Sequence, residues 1–249
     1  MLTERTMHAP AATPDLIPTE LLLLAYRNGI FPMSDARDDK DVFWVEPRDR
    51  AIFPLDQFHA SKSLIKLIKR DHFQVSCNEA FAEVIDACAQ PRTLDANTQT
   101  TAQSESWISH RIEQSYVGLH QAGHAHSFEC WLTNEESGEK QLVGGLYGVG
   151  FDRVFCGESM FSRADNASKV ALAALVATMR AAGFAVLDCQ FMTDHLQSMG
   201  ASAIPQSEYL DELSAARGEP KLSLEECWQG FAQASSPGKL IAQSLTQTS

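Results

Sequence analysis

Residues 127–190 constrain the fold of this chain more than any other stretch. Three short β-type runs, at 127–132, 142–149 and 153–156, are separated by turn-like residues at 134–138 and 150–152 and read as an antiparallel meander. Asn166 then precedes a helical pattern over 167–182 closed by Gly183, and 184–190 is a nearly all-apolar strand ending on Asp188 and Gln190. The element order is β, β, β, α, β, and the chain contains no internal repeat.

Upstream, Thr19 is placed to cap a short helix over 19–26 that stops at Gly29, and Ile30, Phe31 and Pro32 lead out as an extended segment. A loop dense in Asp and Arg runs to Trp44. Over 61–70, helical spacing puts Leu64, Ile65, Leu67 and Ile68 on one face and Lys62, Lys66, Lys69 and Arg70 on the other. Helices are expected over 78–89 and 107–122, the second stopped by Gly123, with a long polar loop over 93–106 between them. Thr193 caps a short helix ending near Gly200, and 208–217 reads as another. The expected division is a disordered 1–15, a small N-terminal α/β domain over 16–60, a C-terminal catalytic domain over 61–234 and a disordered tail over 235–249.

At 249 residues and 44% hydrophobic, the chain can bury a real core. Its formal charge of -12 disfavours a nonspecific nucleic-acid coat, so any nucleic-acid site must be a local basic island such as the cationic face of 61–70. The six cysteines form no C-x-x-C pair, which fits reduced thiols in a cytoplasmic protein better than a zinc ribbon or disulfide framework. The apolar run 21–25 is too short for a signal peptide, and no run reaches the roughly 18 residues of a membrane span.

A carboxylate at the end of a buried strand is costly to ionise without a partner, so Asp188 is either a structural cap or part of a site shared with Gln190, two positions on and on the same face. Residues 156–163, Cys-Gly-Glu-Ser-Met-Phe-Ser-Arg, read as a strand-to-helix loop of a kind that binds anions or polarised carbonyls. His120, His124 and His126 have spacing that can ligate zinc but lack a fourth ligand, so no metal and no cofactor are expected. Ser162 and His195 sit in no nucleophile-elbow context.

Several blocks, in one order and spacing, resemble the leucyl/phenylalanyl-tRNA-protein transferase family. They are Ala-Tyr-Arg-Asn-Gly-Ile-Phe-Pro from Ala25, the segment 44–48, Trp107-Ile108, Gly-His-Ala-His-Ser from Gly123, Leu-Val-Gly-Gly-Leu-Tyr-Gly from Leu142, residues 155–162 with Asn166-Ala167-Ser168-Lys169, and Asp188-Cys189-Gln190. The resemblance spans about residues 21–210. It implies ribosome-independent transfer of Leu or Phe, and less efficiently Met, from Leu-tRNA or Phe-tRNA to proteins beginning with Arg or Lys, in N-degron degradation. It also implies an α+β fold, with a small N-terminal domain and a C-terminal acyl-CoA N-acyltransferase-like domain whose mixed β-sheet is flanked by helices. Glu158, Asp188 and Gln190 match the family's catalytic positions, and Leu146, Phe155, Met160, Leu172 and Leu187 match its aminoacyl side-chain pocket. Trp107, with Lys62, Lys66, Lys69 and Arg70, is expected on the tRNA, Trp107 (and in second place Trp44) stacking the terminal adenine. A monomer without membrane contact is expected.

Aminolysis of an aminoacyl ester needs no ATP or metal; it needs a neutral amine held against the carbonyl and a place for its proton. This chain departs from the family where Met33 replaces the usual Trp after Ile-Phe-Pro, and in a shorter lead before the Leu-rich helix. Rival readings are an acyl-CoA-dependent N-acyltransferase, for which Gly145 to Gly150 lacks the leading Gln or Arg, and a non-catalytic RNA-binding protein.

Overall fold

The computed structural model describes residues 16–91 and 106–246. Nine α-helices and nine strands follow one another in this described part. In the N-terminal part, α1 (Thr19–Arg27) is followed by β1 (Phe31–Met33) and β2 (Phe43–Val45), which pair antiparallel as a separate two-stranded ribbon. Thr19 is the first helical residue; Pro18 holds the cap position, and no side chain caps this end. Pro suits a helix entry because its fixed φ is already compatible with the turn.

A seven-stranded sheet carries the rest of the molecule. Its strands are β3 (Asp49–Phe53), β4 (Gln74–Cys77), β5 (Ala125–Thr133), β6 (Lys140–Phe151), β7 (Val154–Ser162), β8 (Val186–Gln190) and β9 (Ser202–Pro205), in the spatial order β4-β5-β6-β7-β8-β3-β9. The sheet is mixed: β7 and β8 are parallel, and the other neighbours are antiparallel. Residues 49–53, on the N-terminal side of the division expected near residue 60, thus form a strand between β8 and β9 in the large sheet.

Helices α3 (Phe81–Ala89), α4 (His110–Gln121) and α5 (Ala167–Ala182) pack on the sheet, while α2 (Lys62–Lys69) packs against α5 and α9 (Pro237–Thr246); α6 (Asp194–Ser198), α7 (Gln206–Ala215) and α8 (Leu224–Ala232) lie between α5 and α9 in the chain. The β, β, β, α, β order is present as β5, β6, β7, α5 and β8. Ser61, Ser109 and Thr193 each accept the backbone N–H three residues on, capping α2, α4 and α6. The tail expectation is corrected: α9 buries Ile241, Ala242 and Leu245, so apolar spacing wins over the polar composition of 235–246. Residues 1–15, most of the 93–106 loop and 247–249 lie outside the described residues.

Helix α5 lies so close to β6 that a Cβ at Gly144 would stand 2.5 Å from the Ala167 Cβ. Twelve of its sixteen residues are buried, six of them alanine, which is what a near approach of helix to sheet requires. Gly145 to Gly150 therefore belongs to a strand, not to a pyrophosphate-binding loop before a helix.

Candidate active site

The site is made where the sheet parts. The parallel pairing of β7 with β8 ends at Cys156 and Asp188, although β7 continues to Ser162 and β8 to Gln190. Residues 157–162 are thus strand, not the loop expected before α5, and Asn166 enters that helix with φ +68° and no side-chain cap. In its place, Ser162 Oγ accepts the Ser168 N–H at 3.3 Å. The carboxyl ends of parallel strands that diverge leave a crevice, the usual place for a ligand in such sheets.

A cavity of about 560 Å³ occupies that crevice. Its wall includes the expected Leu146, Met160, Leu172 and Leu187, together with Glu158, Gln190 and Trp107. Phe155 is absent from the lining: it is fully buried, and its ring packs where a Cβ at Gly148 would be only 2.5 Å away. A larger cleft of about 1020 Å³, between β3, the end of α5, α8 and α9, contains none of the expected site residues.

Inside the wall, Gln190 Nε2 donates to Glu158 Oε1 at 2.7 Å, and Tyr116 Oη donates to Glu158 Oε2 at 3.3 Å. Tyr116 is in turn hydrogen-bonded to the hydroxyl of Tyr26. Burial pushes the Glu158 carboxyl up to about 7, with the Tyr26 hydroxyl and Gln190 amide pulling the other way. Asp188 stands behind the wall, fully buried and ion-paired to Arg50, and does not line the cavity. Burial opposes the Arg50 charge, and the neighbouring Asp188 carboxylate more than offsets it.

Sequence reasoning does not single out Arg50, Tyr26, Tyr116 or Tyr209 as site residues. Both Tyr26 and Tyr116 sit at ordinary core positions of their helices, and Arg50 follows an Asp- and Arg-rich stretch that looks solvated. Met33, noted as a departure, is in the cavity wall with Phe31 and Phe191. Lys62, Lys66, Lys69 and Arg70 are exposed on α2, away from the lining, and none has a carboxylate within 4.0 Å among the described residues. His120 is stacked on Phe81, and His126 bonds Asn78, with burial lowering the His126 imidazole to about 4. Ser162 and His195 both line the cavity, but the Ser162 hydroxyl donates to Ala164 O.

Family profiles match the two parts of the chain: "Leucyl/phenylalanyl-tRNA protein transferase" over residues 52–214 and its "N-terminal domain" over residues 16–48. The chain belongs to the leucyl/phenylalanyl-tRNA-protein transferase family. Relatives bearing that name include one from Novosphingobium aromaticivorans, 52% identical over 95% of this chain and 98% of its own. Another, from Zymomonas mobilis, is 51% identical over 81% of this chain and 70% of its own. The solved structure "The structure of L-PGS from Bacillus licheniformis" aligns with 90% of this chain and 69% of its own at 12% identity, but its TM-score of 0.32 is too low to assign a fold. As a transferase of this family, the chain has its crevice where β7 and β8 part. Among the described residues, no helix is long and apolar enough to cross a membrane.

Proposed function

We propose that this transferase moves Leu, Phe and, less efficiently, Met from aminoacyl-tRNA to the α-amine of proteins that begin with Arg or Lys, acting as a cytoplasmic monomer that marks them for degradation. Family membership supports the reaction class. The observation that carries the site assignment is a single cavity wall combining apolar Leu146, Met160, Leu172 and Leu187 with the Glu158–Gln190 pair. An apolar pocket separates similar side chains weakly, about 1 to 3 kcal/mol per methylene, which suits a donor range of Leu, Phe and Met. The β, β, β, α, β order and the parting of β7 from β8 favour the acyl-CoA N-acyltransferase-like fold for this part.

In the proposed mechanism the donor side chain enters the cavity and Trp107, at its wall, stacks the terminal adenine. Glu158 is the catalytic base, and Gln190 orients it and the amine. A carboxyl held near 7 is well matched to an α-amine of about 7.7 to 8.0. The amine nitrogen attacks the ester carbonyl carbon, the new C–N bond forms, and the bond from that carbon to the ribose oxygen breaks. Glu158 takes the proton from nitrogen and returns it to the departing ribose oxygen. The exposed cations of α2 hold the tRNA body.

The test is incubation with labelled Leu-tRNA or Phe-tRNA and peptides beginning with Arg, Lys or Ala. Label is expected on the Arg and Lys peptides; its absence from both contradicts the proposal.

A further inference from the structure

We infer that Arg50 is a positioning residue of the transfer site: it fixes Asp188 as the anchor from which Gln190 is aimed at Glu158. The inference rests on the function proposed above. Arg50, on β3, is fully buried, and its Nε and Nη2 donate to Asp188 Oδ1 and Oδ2 at 2.9 and 2.6 Å. Its Nη1 donates to Gly29 O at 3.0 Å, while its guanidinium lies 4.9 Å from the Phe31 ring centre and 4.4 Å from that of Tyr209. A planar fork held this way has one orientation.

The Asp188 oxygens are then taken up from every side. Besides the two Arg50 bonds, Oδ2 accepts Tyr209 Oη at 2.9 Å and Oδ1 accepts the Gln190 N–H at 2.7 Å. That last bond closes an Asx-type turn, in which a carboxylate holds the backbone two residues on. It does so where holding is needed, because Gln190 has φ +62°, a left-handed backbone that residues with side chains adopt rarely. From this turn the Gln190 side chain reaches Glu158 at 2.7 Å. With both oxygens engaged and no face on the cavity, Asp188 acts by placing Gln190, and the proton acceptor is Glu158. The function of the buried pair is the aim of one amide.

Replacing only one partner confounds the question by leaving a buried charge unpaired. The discriminating variant is therefore Arg50→Gln combined with Asp188→Asn, which keeps hydrogen-bonding groups and removes both charges. Its kcat is expected to exceed that of Asp188→Asn alone by about tenfold or more, with KM for both substrates little changed. A folded double variant no more active than the single one overturns the inference.

A second variant, Arg50→Lys, keeps the charge and loses the fork. Its kcat should fall by about tenfold to a hundredfold at near-constant KM, and an unchanged kcat overturns the inference. A readout independent of turnover is the Glu158 titration followed by NMR of carboxyl-labelled protein. Loosening Gln190 removes a bond that favours the ionised form, so the Glu158 midpoint should move up in Arg50→Lys. An unmoved midpoint counts against Arg50 even if the wild-type chain transfers nothing, whereas absent wild-type transfer counts against the proposed function alone.

Discussion

Arg50 and Asp188, 138 residues apart in the chain, meet through two hydrogen bonds of 2.9 and 2.6 Å with neither side chain exposed to solvent. The pair joins the two parts of the protein, since Arg50 also binds the carbonyl of Gly29 just beyond α1.

Removing one half of this pair should damage the fold as well as the reaction. Asp188→Ala leaves a guanidinium buried without a counter-charge, for which a destabilisation of about 3 to 5 kcal/mol is expected. Urea unfolding of the variant beside wild type measures this; an undiminished midpoint at equal slope shows that the pair contributes nothing to stability.

Glu158 should make stability depend on pH in the sense opposite to an ordinary paired carboxylate. Its folded value, about 7, lies above the unfolded reference of about 4.3, so the folded state binds its proton more tightly. The contribution is fully present below the unfolded value and is lost as pH rises towards 7. Glu158→Gln should flatten that part of the stability profile between about pH 4.5 and 7. Melting both proteins at several pH values in that window decides it, and identical slopes contradict the assignment.

The apolar wall should set donor choice. Leu172→Phe adds bulk to the cavity, and transfer of Phe should fall more than transfer of Leu, by about tenfold in the ratio of kcat/KM. Some overpacking strain, about 1 to 3 kcal/mol, is expected, so a melting curve accompanies the kinetics. An unaltered ratio in a folded variant removes Leu172 from the donor pocket.

On α2, replacing Lys62, Lys66 and Lys69 together by Ala should weaken tRNA binding. The slope of log K against log salt should fall by about 2 to 3, near one unit for each phosphate that a lysine no longer neutralises. An unchanged slope returns these residues to a solvated helix face.

Much of this architecture is legible in the sequence because its signals are local. The meander, α5 and β8 follow from periodicity, and Ser223 with Glu226 spells out a capping box for α8, which sequence reasoning did not pick out. Strand β4, only four residues with two buried, carries little periodic signal of its own, and the apolar spacing of α9 is masked by its polar surroundings; both emerge only in the structure. The cavity wall is half legible: Glu158 and Gln190 are marked by their setting in the sequence, whereas Leu146, Met160, Leu172 and Leu187 look like ordinary core and are pointed to only by the resemblance to the family. Arg50 does not stand out, because nothing beside it in sequence reports that β3 will insert next to β8. Whether a charge is solvated or buried is decided by strand order, which is a long-range property. The same limit misplaces residues 157–162 as a loop, since Gly and Ser suggest a turn where the neighbouring β6 supplies a partner through Ser162.

The most direct measurement is the pH dependence of single-turnover transfer to an Arg peptide whose α-amine is replaced by a weakly basic aminooxy group, so that the nucleophile itself does not titrate near neutrality. In the wild-type protein the rate should rise through a single ionisation at about 7. In Glu158→Gln it should be about 10² to 10⁴ lower and flat over the same range. A Glu158→Gln protein that keeps the wild-type rate and its limb near 7 would contradict the account, because the proton acceptor would then lie elsewhere.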